Sequence, residues 1–256
     1  MAKSPLSGWV GGKYQLSKQI IALMPEHECY CEPFAGAAWV LFRKPPSKSE
    51  VLNDINSDLV TLYRVIKLHL EEFVRWFKWI LISREEFNRF LKDDPATLTD
   101  IQRAVRFFYL QRNAFAGKIA QPAFGSATTR APRMNLLRLE EDLSAAHLRL
   151  SQVYIENLPY ARLIERYDRE HSFFYLDPPY WDCEDYYGKN IFCKDDFENL
   201  ALQLSTIKGK FLLSLNDTPE VREIFSQFII DQVTVVYNNS LKPTKAKELL
   251  IRNYAS

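Results

Sequence analysis

The chain has 256 residues, 47% of them hydrophobic and 25% charged, with a formal net charge of +1. That length and balance suit one large α/β domain, or a domain with an insertion, and exclude a disordered, collagenous or disulfide-dense mini-protein. The opening MAKSPLSGWVGGK lacks the apolar core of a secretion signal, and the greasiest window, FVRWFKWILI, is about half a membrane span and carries Arg75 and Lys78, so a cytoplasmic protein without membrane segments is expected.

Seven short apolar runs follow one another along the chain: Cys29 to Cys31, Val51-Leu52, Val153 to Ile155, Phe173 to Leu176, Phe211 to Leu215, Val233 to Tyr237 and Leu249 to Ile251. Helical patterns lie between them, and alternating strands and helices predict a mostly parallel sheet with both faces covered. Two helix starts are well marked: Asp195 or Asp196 before FENLALQL, and Thr218 with Pro219 at the first helical position.

Between the second and third predicted strands the rhythm changes. From about Asn56 to Asp142 the segments DLVTLYRVIKLHLEEFVRWF, REEFNRFL and TDIQRAVRFFYLQRN read as helices, and the polar GSATTRAPRMN closes the block. A mostly helical insertion is therefore expected at residues 57–145, dividing a catalytic domain of residues 1–56 and 146–256. Residues 101–150 hold eight Lys or Arg against three Asp or Glu, while the rest of the chain holds 25 against 29. One basic segment on an acidic body suits a surface that meets phosphates, and equally a solvated helix face.

The four cysteines lack the paired C-x-x-C spacing of a zinc site and the four histidines are scattered singly, so reduced thiols and no metal are expected. Three strand ends carry the chemistry. In CEPFAGAAWV, Gly36 follows a strand and allows close approach of a ligand or simply a turn; in VLNDIN, Asp54 closes a strand as a ribose acceptor or a helix cap; in FFYLDPPY, Asp177 is followed by Pro178, Pro179 and Tyr180. The two prolines remove backbone donors and stiffen the chain, which holds Asp177 and Tyr180 still. The sequence has neither G-x-G-x-x-G nor a P-loop, so a nucleoside cofactor suits it better than a dinucleotide or a nucleoside triphosphate.

Taken in order, GWVGGK, EPFAGA, NDIN and DPPY resemble the Dam-type adenine-specific DNA methyltransferases, and RNAFAGK, SLNDTPEVREIF and KELLIRN extend the similarity to phage-like members over nearly the whole chain. The resemblance implies a Rossmann-like seven-stranded methyltransferase sheet with a mostly helical inserted target-recognition domain, S-adenosylmethionine as cofactor and double-stranded DNA as partner. A monomer is expected, with the oligomeric state left open. By position, Trp9 and Lys13 would hold the cofactor's methionine part, Phe34 and Gly36 its pocket, Asp54 its ribose, and Tyr160 would stack on its adenine. Asp177, Pro178, Pro179 and Tyr180 would form the catalytic corner, with Asp177 also beside the cofactor. Arg112, Asn113, Lys118, Arg130, Arg133, Asn135 and Arg138 would meet DNA, and Arg103 and Arg106 would help to track phosphates. Two positions depart from the family: Ala38 stands where a second glycine is usual, followed by Trp39, and Pro159 stands where relatives often carry an acid.

The corner suits a poor nucleophile. Adenine's exocyclic lone pair is delocalised into the ring, so an enzyme gains by holding both amine hydrogens in acceptors that favour a tetrahedral nitrogen. The Asp177 carboxylate and the Pro178 carbonyl supply two acceptors, and Tyr180 supplies a face for a base swung out of the duplex. Asp rather than Asn or Ser at the first position favours adenine among the substrates that the resemblance offers. The rival readings are an adenine methyltransferase acting on RNA and a catalytically degenerate DNA-binding module.

Overall fold

A computed structural model of the chain describes residues 2–9, 11–115, 122–126, 128–129, 131–132, 134–183, 192–237 and 244–255. Each predicted apolar run becomes a strand: β1 (Cys29–Glu32), β2 (Ser49–Asn53), β3 (Val153–Glu156), β4 (Ser172–Leu176), β5 (Lys210–Asn216), β6 (Ile229–Tyr237) and β7 (Thr244–Arg252). They form one sheet in the order β3-β2-β1-β4-β5-β7-β6. β1 to β5 are parallel, and β7 runs antiparallel to its neighbours β5 and β6. The order reverses direction between β1 and β4, where an open α/β sheet leaves a crevice beyond its carboxyl ends.

Central strands of such a sheet are buried on both faces. β4 is buried at every position, with Phe173 and Tyr175 in one hydrophobic core and Phe174 and Leu176 in the other. The first core lies under α1 (Ser17–Ala22), α2 (Trp39–Arg43), α3 (Ser57–Leu68), α4 (Leu70–Phe77), α5 (Arg84–Lys92), α6 (Asp100–Asn113) and α7 (Leu139–Leu150). The second lies under α8 (Tyr160–Tyr167), α9 (Lys194–Thr206) and α10 (Pro219–Ile224).

The helical block α3 to α7 falls between β2 and β3, and its core is continuous with that of the sheet: Leu59, Tyr63 and Phe108 belong to the same cluster as Tyr30, Leu52 and Phe173. The long pattern predicted as one helix breaks at His69, whose backbone leaves the helical region (φ −137°, ψ 40°). The break turns Phe73 and Phe77 onto Phe108, with ring centroids 5.5 and 5.4 Å apart. The helix then stops at Phe77, leaving Trp79 86% exposed. α6 opens with a capping box between Thr99 and Gln102. α9 starts at Lys194, one residue before the expected cap, because the Asp196 carboxylate accepts from the Cys193 N–H. Thr218 caps α10 as expected, accepting from the Val221 N–H with Pro219 in the first turn. Among the described residues no helix is long and apolar enough to cross a membrane.

Candidate active site

A cavity of about 230 Å³ opens beyond the carboxyl ends of β1 to β4. Its wall comes from the segment Glu32 to Val40 after β1, Asp54 to Asn56 after β2, Leu158 to Tyr160 after β3, Asp177 and Pro179 after β4, and the amino-terminal Trp9 and Gly11 to Lys13. One side chain holds three of these strand ends together. The Asn53 amide donates to the Pro33 and Leu158 carbonyls (2.9 and 3.0 Å) and its oxygen accepts from the Leu158 N–H at 2.8 Å. That explains the asparagine in VLNDIN, a buried polar residue whose hydrogen bonds are all met within the cavity rim.

At the Asp54 end, Gly36 has a positive φ of 46°, and a Cβ built there would come within 3.0 Å of the Trp9 indole nitrogen. Both facts favour glycine, since a side chain there would strain the backbone and press on the Trp9 indole. The Gly36 N–H donates to one Asp54 oxygen at 3.0 Å and the Asn56 N–H to the other at 2.9 Å. Asn56, not Asp54, caps α3, accepting from the Asp58 and Leu59 N–H groups. The helix-cap reading of Asp54 is thereby displaced, and its oxygens keep lone pairs for further donors. Burial raises the Asp54 carboxyl above its usual range, against the pull of its backbone bonds. Beside it the Phe34 and Tyr160 rings stack at 5.3 Å and 30°. The Tyr160 hydroxyl donates to Asp196 at 3.3 Å, so an acid reaches this wall from α9 although Pro159 supplies none. Ala38 occupies the left-handed region (φ 50°, ψ 36°), the conformation that a glycine in its place would adopt without strain.

At the other end β4 delivers Asp177, whose side chain is 20% exposed. Lys13 Nζ lies 2.7 Å from Oδ1 and 2.9 Å from Oδ2, and the Ser214 hydroxyl on β5 donates to Oδ1 at 2.9 Å. Burial pushes the Asp177 carboxyl up; the Lys13 charge and hydrogen bonds from Lys13 and Ser214 pull it down, and the net direction is upward. Pro178 and Pro179 are buried. Just beyond them the Trp181 N–H donates to Asn216 Oδ1 (2.9 Å) and its carbonyl accepts from the Asn216 amide (3.1 Å), which pins the corner to the end of β5. The Tyr180 ring lies under Lys13, 4.6 Å from Nζ to centroid.

Lys13 therefore lines the cavity as expected but commits its ammonium to Asp177. Ser214, Asn216 and Glu248 complete the corner, and the sequence alone marks them only through SLNDTPE and KELLIRN. Glu32 is a further resident: it is 1% exposed, accepts from the Tyr30 hydroxyl and the Leu41 N–H, and burial raises its carboxyl to about 7.

The residues assigned to DNA separate. Arg112 donates to the Ser7 hydroxyl, while its Nε is buried without a partner among the described residues and burial lowers its pKa. Asn113 is corrected: it is 4% exposed, and its amide donates to the Tyr109 carbonyl inside its own helix, so it faces the core and not a ligand. Arg103 pairs with Asp58, and Arg106 donates to the Phe90 carbonyl, so both serve the helical block itself. Arg138 is exposed and 3.4 Å from Glu141, and Asn135 is exposed. Lys118, Arg130 and Arg133 lie outside the described residues.

A mixed seven-stranded sheet, a cavity at its carboxyl edge and an Asp-Pro-Pro-Tyr corner on the fourth strand define an α/β methyltransferase. Comparison with known proteins carries this further: the profile of the D12 class N6 adenine-specific DNA methyltransferases matches residues 9–239, and the chain belongs to that family, whose reaction is methylation of adenine N6 in DNA. Similar relatives include the type II methyltransferase M.CviBI of Paramecium bursaria Chlorella virus NC1A, 26% identical over 98% of this chain and 99% of the viral protein. The DNA adenine methylase of Salmonella typhi is 33% identical over 67% of this chain and 63% of its own length. That of Escherichia coli K12 is 37% identical over 43% of this chain and 40% of its own.

Proposed function

We propose that the methyl donor is S-adenosylmethionine and that the Asp177 corner receives an adenine turned out of duplex DNA in the cytoplasm. The observation that carries this reading is the shared cavity, which runs from the Asp54 carboxylate to the Asp177 carboxylate without leaving the carboxyl edge of the sheet. The residues present suit the cofactor: Asp54 accepts ribose hydroxyls, the Phe34 and Tyr160 rings offer faces for its base, and Gly36 leaves the room that a side chain would fill. When bound, the cofactor supplies an electrophilic methyl on a sulfonium. The chain does the rest: Asp177 and the Pro178 carbonyl accept the amine hydrogens, Tyr180 stacks on the flipped ring, and the buried prolines hold both groups in line for attack. Residues 57–145 carry target recognition in this reading, with Arg112, Asn135 and Arg138 the described candidates.

Incubation with radiolabelled S-adenosylmethionine and unmethylated DNA, followed by nucleoside analysis, tests the assignment. Label is expected in N6-methyladenine and not in cytosine. Asp177→Ala removes an acceptor aligned with the developing charge and is expected to lower turnover at least about 10²-fold. S-adenosylmethionine affinity, measured by calorimetry, is expected to fall less. Wild-type turnover in that variant refutes the catalytic role.

A further inference from the structure

We propose that Lys13 is a placeholder for the target adenine: in the ligand-free protein its ammonium holds the Asp177 and Tyr180 positions that the base needs, and the cofactor's amino-acid carboxylate draws it away, so that cofactor binding licenses entry of the base. This rests on the reading above. The geometry is specific. Three contacts use the donors of Lys13 Nζ, to Asp177 Oδ1, to Asp177 Oδ2 and to the Gly11 carbonyl at 2.9 Å, and the same nitrogen sits over the face of Tyr180. The residue is 5% exposed, so the arrangement is a buried one and not a surface ion pair. A flipped adenine would bring a nitrogen donor to the same carboxylate and a ring to the same aromatic face, and the two occupants cannot share that volume.

Charge leads to the same conclusion. Methyl transfer forms a carbon–nitrogen bond and breaks a carbon–sulfur bond whose electron pair stays on sulfur as a thioether, moving the positive charge to the amine nitrogen, which then sheds a proton to the Asp177 carboxylate that accepts its hydrogen. An ammonium left on Asp177 would repel that charge where it develops and would engage the acceptor meant for the amine. The groups facing Asp177 are Lys13, Ser214 on β5, Tyr175 on β4, Glu32 on β1, and Glu248 on β7, and Lys13 is the cation among them. Its alternative berth is close. Gly11, Gly12 and Lys13 line the same cavity as Gly36 and Asp54, and the Gly11 contact already lies on that side. A carboxylate entering the cavity competes with Asp177 for one ammonium, and its success frees the corner.

Reciprocal coupling between cofactor and base follows, with a size set by how far each ligand biases Lys13. The test uses a duplex whose methylated adenine has been mapped and replaced by 2-aminopurine, with S-adenosylhomocysteine as the cofactor probe. For the wild type, S-adenosylhomocysteine is expected to tighten duplex binding about tenfold and to bring on the fluorescence of the unstacked base. In Lys13→Gln the base is expected to unstack without S-adenosylhomocysteine, and the coupling to drop below about twofold. Lys13→Arg, which keeps the charge, is expected to retain the coupling, which separates this role from a loss of folding. Wild-type coupling in Lys13→Gln, or full unstacking by the wild type without S-adenosylhomocysteine, overturns the proposal while leaving methyl transfer standing. A wild type that methylates no DNA adenine overturns both.

Discussion

The Tyr180 hydroxyl donates to the buried Glu248 carboxylate at 2.6 Å, joining the corner after β4 to a strand close to the end of the chain. A stacking platform is useful only if its plane is fixed before the base arrives, and this bond holds the ring from its far end. Tyr180→Ala is expected to remove about 1–3 kcal/mol of base stacking, read as weaker binding of a duplex carrying 2-aminopurine at the target. Tyr180→Phe keeps the face but loses the anchor, and is expected to retain most of the binding while lowering kcat. Equal damage in the two variants would show that the hydroxyl, and not the ring, is what matters.

Asp54 is expected to hold the cofactor. Its carboxylate closes β2 facing Gly36, and Asn56 performs the capping of α3 that would otherwise explain it. Asp54→Ala is expected to cost roughly 1.5 to 3 kcal/mol of S-adenosylmethionine affinity, the range for a charge-assisted hydrogen bond. Calorimetric titration checks this, and unchanged affinity would reduce Asp54 to a brace for the Gly36 and Asn56 N–H groups.

Glu32 makes stability depend on pH. Burial raises its carboxyl from an ordinary 4.5 to about 7, so the folded protein favours the protonated form. A raised acid contributes stability below its unfolded pKa and loses it as pH climbs through the folded one, here between about 4.5 and about 7. Glu32→Gln keeps the oxygen that accepts from Tyr30 and Leu41 and removes the titration. Urea unfolding across pH is expected to show the variant gaining on the wild type by up to roughly 3 kcal/mol above pH 7, with the two converging near pH 4. Parallel curves would place the titration elsewhere.

Strands were legible in the sequence because each is a short apolar run at a predictable spacing, and β4, buried on both faces, is the clearest. The break at His69 was not, since the apolar phase of α3 and α4 runs through it and only packing onto Phe108 redirects the chain. The place of Asp54 and Asp177 in the cavity wall was legible because they stand at strand ends, where an open sheet leaves its crevice. Ser214, Asn216 and Glu248 were not, because they reach the corner from β5 and β7, and only sheet order brings β5 beside β4 and β7 beside β5. Lys13 was visible as a motif residue but its partner was not, since 164 positions separate it from Asp177.

The basic segment reads differently once its partners are known, and that bears on specificity. Arg103 and Arg106 are spent on Asp58 and on the Phe90 carbonyl, which ties α6 to α3 and α5, and Asn113 is spent within its own helix. Arg112 remains at the helix end, bonded to the Ser7 hydroxyl, with an Nε that has no partner among the described residues and a charge that burial disfavours and an incoming phosphate would compensate. Arg112→Ala is therefore expected to weaken DNA binding and to flatten its salt dependence by about one phosphate contact, whereas Arg103→Ala is expected to lower stability and leave the salt slope alone. Among the described residues Asn135 and Arg138 are the exposed candidates, and each base-specific contact is worth about 1–3 kcal/mol of discrimination. About thirty residues separate Pro122 from β3 at Val153, and their candidates for reading bases are Arg130, Arg133, Asn135 and Arg138, which predicts a short or relaxed target extending little beyond the adenine. Sequencing every methylated adenine after exhaustive treatment of genomic DNA measures it directly: modification in many contexts is expected, and confinement to one long, strictly defined sequence would show that residues beyond this set do the reading.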